Sequence, residues 1–113
     1  MDVRESLTLD TPEKFRGWLK KNRLKKIEIR LIFYKKSSGR QTLTIAQSVE
    51  EALCFGWIQS RLKPLDPGSF AVRFSPRRRG SLWSPANLKR VRRLIAEARM
   101  TRAGLEVLPP VFK

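Results

Sequence analysis

The sequence contains no histidine and a single cysteine, Cys54. Without histidine, the chain lacks the side chain that most often serves as a general base or metal ligand near neutral pH. One cysteine excludes an internal disulfide and a zinc site built from several thiolates. We therefore predict no metal, no cofactor and no complete catalytic set. Cys54 itself is better explained as a buried structural residue than as a nucleophile, because no histidine is available to activate it.

Acidic residues and long apolar runs are also scarce. The chain of 113 residues carries 25 Lys and Arg against 10 Asp and Glu, which gives a net charge of +15. Such a surplus favours association with polyanions such as nucleic acid or an anionic membrane surface. No apolar run approaches the roughly 20 residues that span a bilayer, and the polar residues 1–6 begin no signal peptide. We expect a soluble, cytoplasmic protein with an anionic partner.

The length predicts one domain over residues 1–113, with a motif-bearing core at about 11–108. Helix starts are marked by a hydroxyl residue that can accept hydrogen bonds from the first backbone N–H groups. At two of them a proline follows at the first helical position, which its fixed φ suits. The four predicted starts are Thr11, Thr44, Ser84 and Thr101.

Strand signals lie between these helices. Apolar and polar residues alternate over 27–34, and β-branched and aromatic residues are frequent there, so a strand is predicted, with an exposed turn at 35–40. Two extended segments, 57–65 and 69–75, flank an Asp-Pro-Gly turn at 66–68 and read as a hairpin. Together with the helices, this order predicts an α+β fold: a small antiparallel sheet of about three strands, with three to four helices packed on one face.

The segment from Pro67 to Ala96 contains no acid but many cations. Its centre, 75–84, is a basic loop that leads into a helix, whose N-terminal N–H groups add positive potential. Guanidinium groups are forked donors that suit phosphate and carboxylate oxygens. The alternative is a solvated loop with Trp83 buried in the core. The candidate anion-binding residues are Arg73, Arg77, Arg78, Arg79, Lys89, Arg90 and Arg93.

The outward face of the sheet is a second candidate surface. If the aromatic residues Phe70 and Phe74 point inward, Arg73 points outward. Cations beside an aromatic ring on a sheet bind single-stranded nucleic acid through phosphate contacts and base stacking. The alternative is that the long basic stems merely cover an exposed sheet. The residues expected beside Arg73 are Arg30, Tyr34, Trp57, Gln59, Arg61 and Lys63.

Two other function classes stay open from the residues alone. One is a small-molecule binder or an enzyme, in which catalysis would rest on Cys54, Glu50, Glu51 or a serine. The other is a protein–protein adaptor that recognises an acidic partner through the basic surface. The candidate pocket residues of the first class are Trp57, Gln59, Ser81, Trp83 and Asn87.

Five ordered motifs extend over most of the chain. They are Ala-Leu-Cys-Phe-Gly-Trp-Ile at 52–58, Lys-Pro-Leu-Asp at 63–66, Arg-Phe-Ser-Pro-Arg-Arg at 73–78, Ser-Leu-Trp-Ser-Pro-Ala-Asn at 81–87 and Arg-Met-Thr-Arg-Ala-Gly at 99–104. In these motifs the chain resembles the bacterial YdeI/OmpD-associated family, which also carries a bacteriocin-protection label. The resemblance implies a link to envelope stress and to tolerance of cationic antimicrobial peptides, and it brings no established enzymatic activity.

Three departures limit what the resemblance implies. Family members commonly carry an acid where this chain has Gln59, and often a glycine where it has Ala98. Most continue into a helical segment rich in Lys and Arg, whereas this chain ends at Lys113, so the resemblance is to the N-terminal module alone. A protein of charge +15 repels cationic peptides. Any role in tolerance is therefore expected to be indirect, through an anionic ligand or through regulation.

Overall fold

The structure is a computed structural model. It describes residues 6–35, 43–78, 80 and 82–112. Among the predicted features, most of the turn at 35–40 lies outside the described residues, and so do the candidates Arg79 and Ser81.

Four α-helices begin at the four predicted caps. In each, the hydroxyl of the cap accepts a hydrogen bond from the backbone N–H three residues on. Thr44 also forms a reciprocal capping box, because its own N–H donates to the Gln47 side chain at 2.9 Å. The helices are α1 (Pro12–Asn22), α2 (Ile45–Cys54), α3 (Pro85–Ala96) and α4 (Arg102–Glu106).

The sheet has four strands in the order β1-β2-β4-β3. β3 and β4 form the predicted hairpin, and β2 pairs antiparallel with β4. β1 adds a parallel partner for β2, so the sheet is mixed and not wholly antiparallel as predicted. Two residues are too few to show a periodic pattern, which is why the sequence did not reveal β1. The strands are β1 (Ser6–Leu7), β2 (Ile29–Tyr34), β3 (Trp57–Asp66) and β4 (Ser69–Pro76).

β3 contains an irregularity between Gln59 and Leu62 that reverses which side chains face the helices. Before it, Gln59 lies opposite the buried Phe74, so Gln59 and Trp57 share the helix side of the sheet. After it, Lys63 lies on the opposite side. The prediction that these three side chains share one face is therefore wrong, because a bulge shifts the two-residue alternation by one position.

The core lies between the helices and one face of the sheet. Phe15 of α1 packs edge-on against Phe74 of β4, with ring centroids 5.3 Å apart. Trp18 meets Trp57 in the same manner at 5.8 Å. No helix among the described residues has the length and apolarity to cross a bilayer. The buried residues that join the layers are Leu19, Ile29, Leu31, Val49, Leu53, Val72, Val91 and Leu94.

The end of α2 packs closely against the start of α4, just before β3 begins. The Thr101 hydroxyl donates to the Cys54 carbonyl at 2.5 Å. A Cβ on Gly104 would stand 2.3 Å from that same carbonyl oxygen, so only glycine allows this approach. Gly56, at φ +76°, turns the chain between α2 and β3. The junction therefore sets the position of Trp57, the first residue of β3.

Candidate functional site

Cations from three neighbouring strands meet on the face of the sheet that is turned away from the helices. Arg30 of β2 lies directly opposite Arg73 of β4, and the other edge of β4 pairs with β3. The side chains enclose a groove of about 530 Å³, which we call the outer-face groove. It is lined by Arg30, Arg61, Leu62, Lys63 and Arg73.

The carboxylate of Glu28 binds two of the groove's arginines but does not neutralise the groove. Two arginines directly opposite each other would repel, but Glu28 binds both, at 2.5 Å from Arg30 Nη1 and 3.3 Å from Arg73 Nη2. In the part of the chain that the structure describes, neither Arg61 nor Lys63 forms an ion pair. Four cations against one carboxylate leave the groove positively charged.

A second cavity lies on the helix side, between α2, the start of β3 and the first turns of α3. Its volume is about 410 Å³, and we call it the interhelical pocket. It brings together three of the predicted pocket residues, Trp57, Gln59 and Asn87, with Arg90 from the predicted anion-binding set. The remaining lining residues are Ile45, Ala46, Val49, Leu53, Ile58 and Ser84.

Arg77 is buried and contacts other residues of the basic loop. Only 6% of the residue is exposed. Its backbone N–H donates to the Gly56 carbonyl at 2.7 Å, and its Nη1 donates to the Leu82 carbonyl at 2.8 Å. The guanidinium lies 3.8 Å from the centroid of the Trp83 ring. Burial lowers the pKa of Arg77, yet a guanidinium titrates so far above neutrality that it stays charged. Arg77 and Trp83 therefore serve the loop and not the interhelical pocket.

The remaining predicted cations are dispersed. Arg78 and Lys89 are exposed. Arg93 forms ion pairs with Glu50 of α2 and, at 3.3 Å, with Glu97. The six predicted anion-binding residues that the structure describes are therefore spread over the outer face of the sheet, the basic loop and α3.

A family model for a domain of unknown function, DUF8412, matches residues 7–107. The chain belongs to the DUF8412 family. No curated protein and no solved structure matches it. The DUF8412 description assigns no activity, so the resemblance to the YdeI/OmpD-associated family stays a prediction.

Three of the side chains on which catalysis in this DUF8412 chain would rest, Glu50, Glu51 and Cys54, are engaged in ion pairs or buried in the core. Glu51 is buried and accepts from Arg16 Nη1 at 3.1 Å and from Arg99 Nη2 at 2.6 Å. Glu50 pairs with Arg99 at 3.4 Å. Cys54 is fully buried, and burial raises the pKa of its thiol, so the thiol is protonated at neutral pH. Within the described ranges, no group of three or more acids or cysteines is arranged to hold a metal ion.

Two features of the DUF8412 sites were missed by sequence reasoning. Glu28 lies just before β2 and bridges Arg30 and Arg73, and the alternation of the strand alone does not indicate this role. Arg90 was predicted as an anion-binding residue but not as part of the pocket, where its Nη1 donates to Asn87 Oδ1 at 3.0 Å. The spacing of three residues between Asn87 and Arg90 on a helix was the available signal.

Proposed function

We propose that this protein is a non-enzymatic module that binds an anionic polymer, namely single-stranded nucleic acid, through the outer face of its sheet. One observation carries the proposal: in the outer-face groove, Arg30, Arg61, Lys63 and Arg73 stand against a single acid, Glu28. An uncompensated set of this kind attracts phosphates through Coulomb interaction and counterion release.

The layout of the groove suits a chain of phosphates better than one small anion. Neighbouring strands lie about 4.8 Å apart, so cations on three strands spread over roughly 10 Å. Tyr34 lies on the same face as Arg30, four residues along β2. A flexible single strand presents unstacked bases to an aromatic ring, whereas a duplex does not. These features favour single-stranded over double-stranded nucleic acid.

The basic loop is a secondary contributor in this proposal. Arg77 is engaged within the loop, and its removal would disturb the contacts with Leu82 and Trp83. Arg78 is exposed and adds to the long-range field. Substitution of Arg77 would therefore not separate loss of binding from loss of structure. Arg61 and Lys63 are the better targets.

The test is fluorescence anisotropy with a labelled 20-nucleotide oligothymidine and with a duplex, using nuclease-treated protein across a salt series. We expect micromolar affinity for the single strand at about 150 mM salt, with a steep linear log–log salt dependence. Because each phosphate contact contributes about −0.7 to the slope, the double variant Arg61→Gln/Lys63→Gln should flatten the slope by roughly 1.4. It should weaken binding by about tenfold or more.

The matched control is Lys20→Gln/Lys21→Gln, which removes the same charge from exposed positions of α1. If the outer face is the site, this control should weaken binding by no more than about threefold. Equal losses in the two double variants would mean that the net charge acts without a site. Loss of all binding of the unmodified protein by about 100–150 mM salt would also overturn the proposal.

An acidic protein partner is the competing use of the same face. Polyglutamate presents carboxylates without bases, so it separates the two possibilities when it competes with labelled oligothymidine. Displacement by polyglutamate at the same charge concentration as unlabelled oligothymidine would favour a protein–protein adaptor. In either case the cationic face repels cationic peptides. If the YdeI/OmpD resemblance extends to biology, the protein acts in stress tolerance through its anionic ligand, in the cytoplasm.

A further inference from the structure

The interhelical pocket lies on the helix side of the sheet, away from the outer-face groove, and the proposed function makes no use of it. We propose that it binds a small organic anion, a carboxylate attached to a short apolar body. The volume of about 410 Å³ falls within the range of roughly 300–1,000 Å³ that small-molecule sites occupy.

One wall of the pocket is apolar. Ile45, Val49 and Leu53 project from one side of α2, and Trp57 closes the wall from β3. Trp57 is only 2% exposed, and its ring is held edge-on against Trp18 at 5.8 Å. A wall of largely buried aliphatic and aromatic groups favours an apolar ligand body, because binding removes that body from water.

The other wall carries a guanidinium whose orientation is fixed. Arg90 is half-buried, and its Nη1 donates to Asn87 Oδ1 at 3.0 Å. An arginine has five N–H donors, so this single contact leaves donors for a carboxylate, which guanidinium groups bind in a bidentate manner. Gln59, which also lines the pocket, is neutral.

A comparison of two arginines on α3 supports an anion site at Arg90. Arg93 lies one turn beyond Arg90 and is neutralised by ion pairs with Glu50 and Glu97. Arg90 has no carboxylate partner among the described residues, and no acid lines the pocket. A partly buried cation beside an apolar wall is costly unless an anion completes it. The pocket presents one guanidinium, that of Arg90, whereas the outer-face groove presents four cations. Its ligand is therefore expected to be a small anion with one carboxylate and not a polymer.

The first experiment measures binding of benzoate and hexanoate to the full chain, with benzamide and hexanamide as neutral counterparts. Amide NMR shifts and the rise in melting temperature report the binding. We expect saturable binding of at least one acid, with the largest shifts at Ala46, Gln59 and Asn87. The corresponding amide should bind about tenfold more weakly or worse, because it cannot form the charge-assisted pair. No saturable binding of either acid up to about 10 mM, or equal affinity of acid and amide, would overturn the proposal.

Variants then locate the binding. Arg90→Gln should weaken the acid about tenfold or more, while Lys89→Gln, which removes an adjacent exposed charge, should leave the affinity within about twofold. Ala46→Leu should fill the pocket and reduce binding, with Ala96→Leu as the control at an exposed position of α3. Equal losses for Arg90→Gln and Lys89→Gln would show generic charge attraction and contradict the site. Because Arg90→Gln leaves the core untouched, it decides the question even if Ala46→Leu unfolds.

Discussion

Ala98 takes a backbone conformation that alanine rarely adopts, with φ +57° two residues after the end of α3. The turn is a Schellman motif, in which the Arg99 N–H donates to the Leu94 carbonyl and the Ala98 N–H to the Ile95 carbonyl, each at 3.0 Å. A Cβ in the left-handed region costs about 1–2 kcal/mol. Glycine has no Cβ and adopts this conformation without that cost.

Ala98→Gly should therefore stabilise the protein. We expect the free energy of unfolding to rise by about 0.5–1 kcal/mol, because relief of the left-handed strain exceeds the entropy that glycine adds to the unfolded chain. Urea denaturation followed by tryptophan fluorescence measures the change. Ala96→Gly, in the last turn of the same helix, is the matched control and should cost about 0.5–1 kcal/mol. Destabilisation by Ala98→Gly would contradict this account of the turn.

Single residues show where sequence reasoning succeeds and where it stops. The hydroxyl caps Thr11 and Ser84 were predictable, because capping is a contact between residues three apart. The burial of Arg77 was not, since the Trp83 ring and the Leu82 carbonyl that receive it become neighbours only when the loop closes. Cations are alike in sequence, and the tertiary fold decides which are available to a partner.

At the scale of elements, one buried acid joins three parts of the helical layer. Glu51 of α2 binds Arg16 of α1 and Arg99 of the segment between α3 and α4. Arg16 also donates to the Arg99 carbonyl at 2.9 Å, which closes the arrangement. A carboxylate buried between two guanidinium groups fixes the relative positions of the helices, because its removal leaves two cations facing each other.

We predict that Glu51→Gln destabilises the protein by about 1–3 kcal/mol. The effect stays below that of a fully buried pair because the side chains of Arg16 and Arg99 are 30% and 32% exposed. Urea midpoints at pH 7 measure it. Glu97→Gln removes an exposed acid that also binds Arg99, and it should shift the midpoint far less. Similar shifts in the two variants would show that burial of Glu51 adds nothing to the pairing.

The elements themselves were more predictable than their pairing. Periodicity and caps gave the helices and the hairpin, because those signals are local. The irregularity of β3 between Gln59 and Leu62 depends on its partner strand, so alternation alone assigned Trp57 to the wrong face. The same irregularity separates Gln59, in the interhelical pocket, from Lys63, in the outer-face groove. Which of the two sites each β3 residue joins could therefore be predicted only from the strand register.

At the scale of the whole molecule, the charge acts over the full width of the protein when salt is low. The principal extents are 43 × 25 × 24 Å. The Debye length is about 30 Å at 0.01 M salt and about 8 Å at 0.15 M. At 0.01 M salt nearly every cation interacts electrostatically with the others, whereas at 0.15 M salt only close pairs interact. Close ion pairs such as Glu51–Arg99, at 2.6 Å, lose little on screening.

The net charge of +15 therefore predicts that added salt stabilises this protein. Screening removes long-range repulsion among 25 cations and leaves the partly buried pairs almost intact. Between about 0.01 and 0.15 M sodium chloride we expect a gain near 1 kcal/mol, which corresponds to a melting temperature higher by about 4 °C for a domain of this size. Lys20→Gln/Lys21→Gln should show a weaker salt dependence, because it begins with less repulsion. A melting temperature that falls with salt would mean that attraction within surface ion pairs is stronger than the repulsion among the cations. In that case a bound polyanion would not stabilise the protein by relieving repulsion.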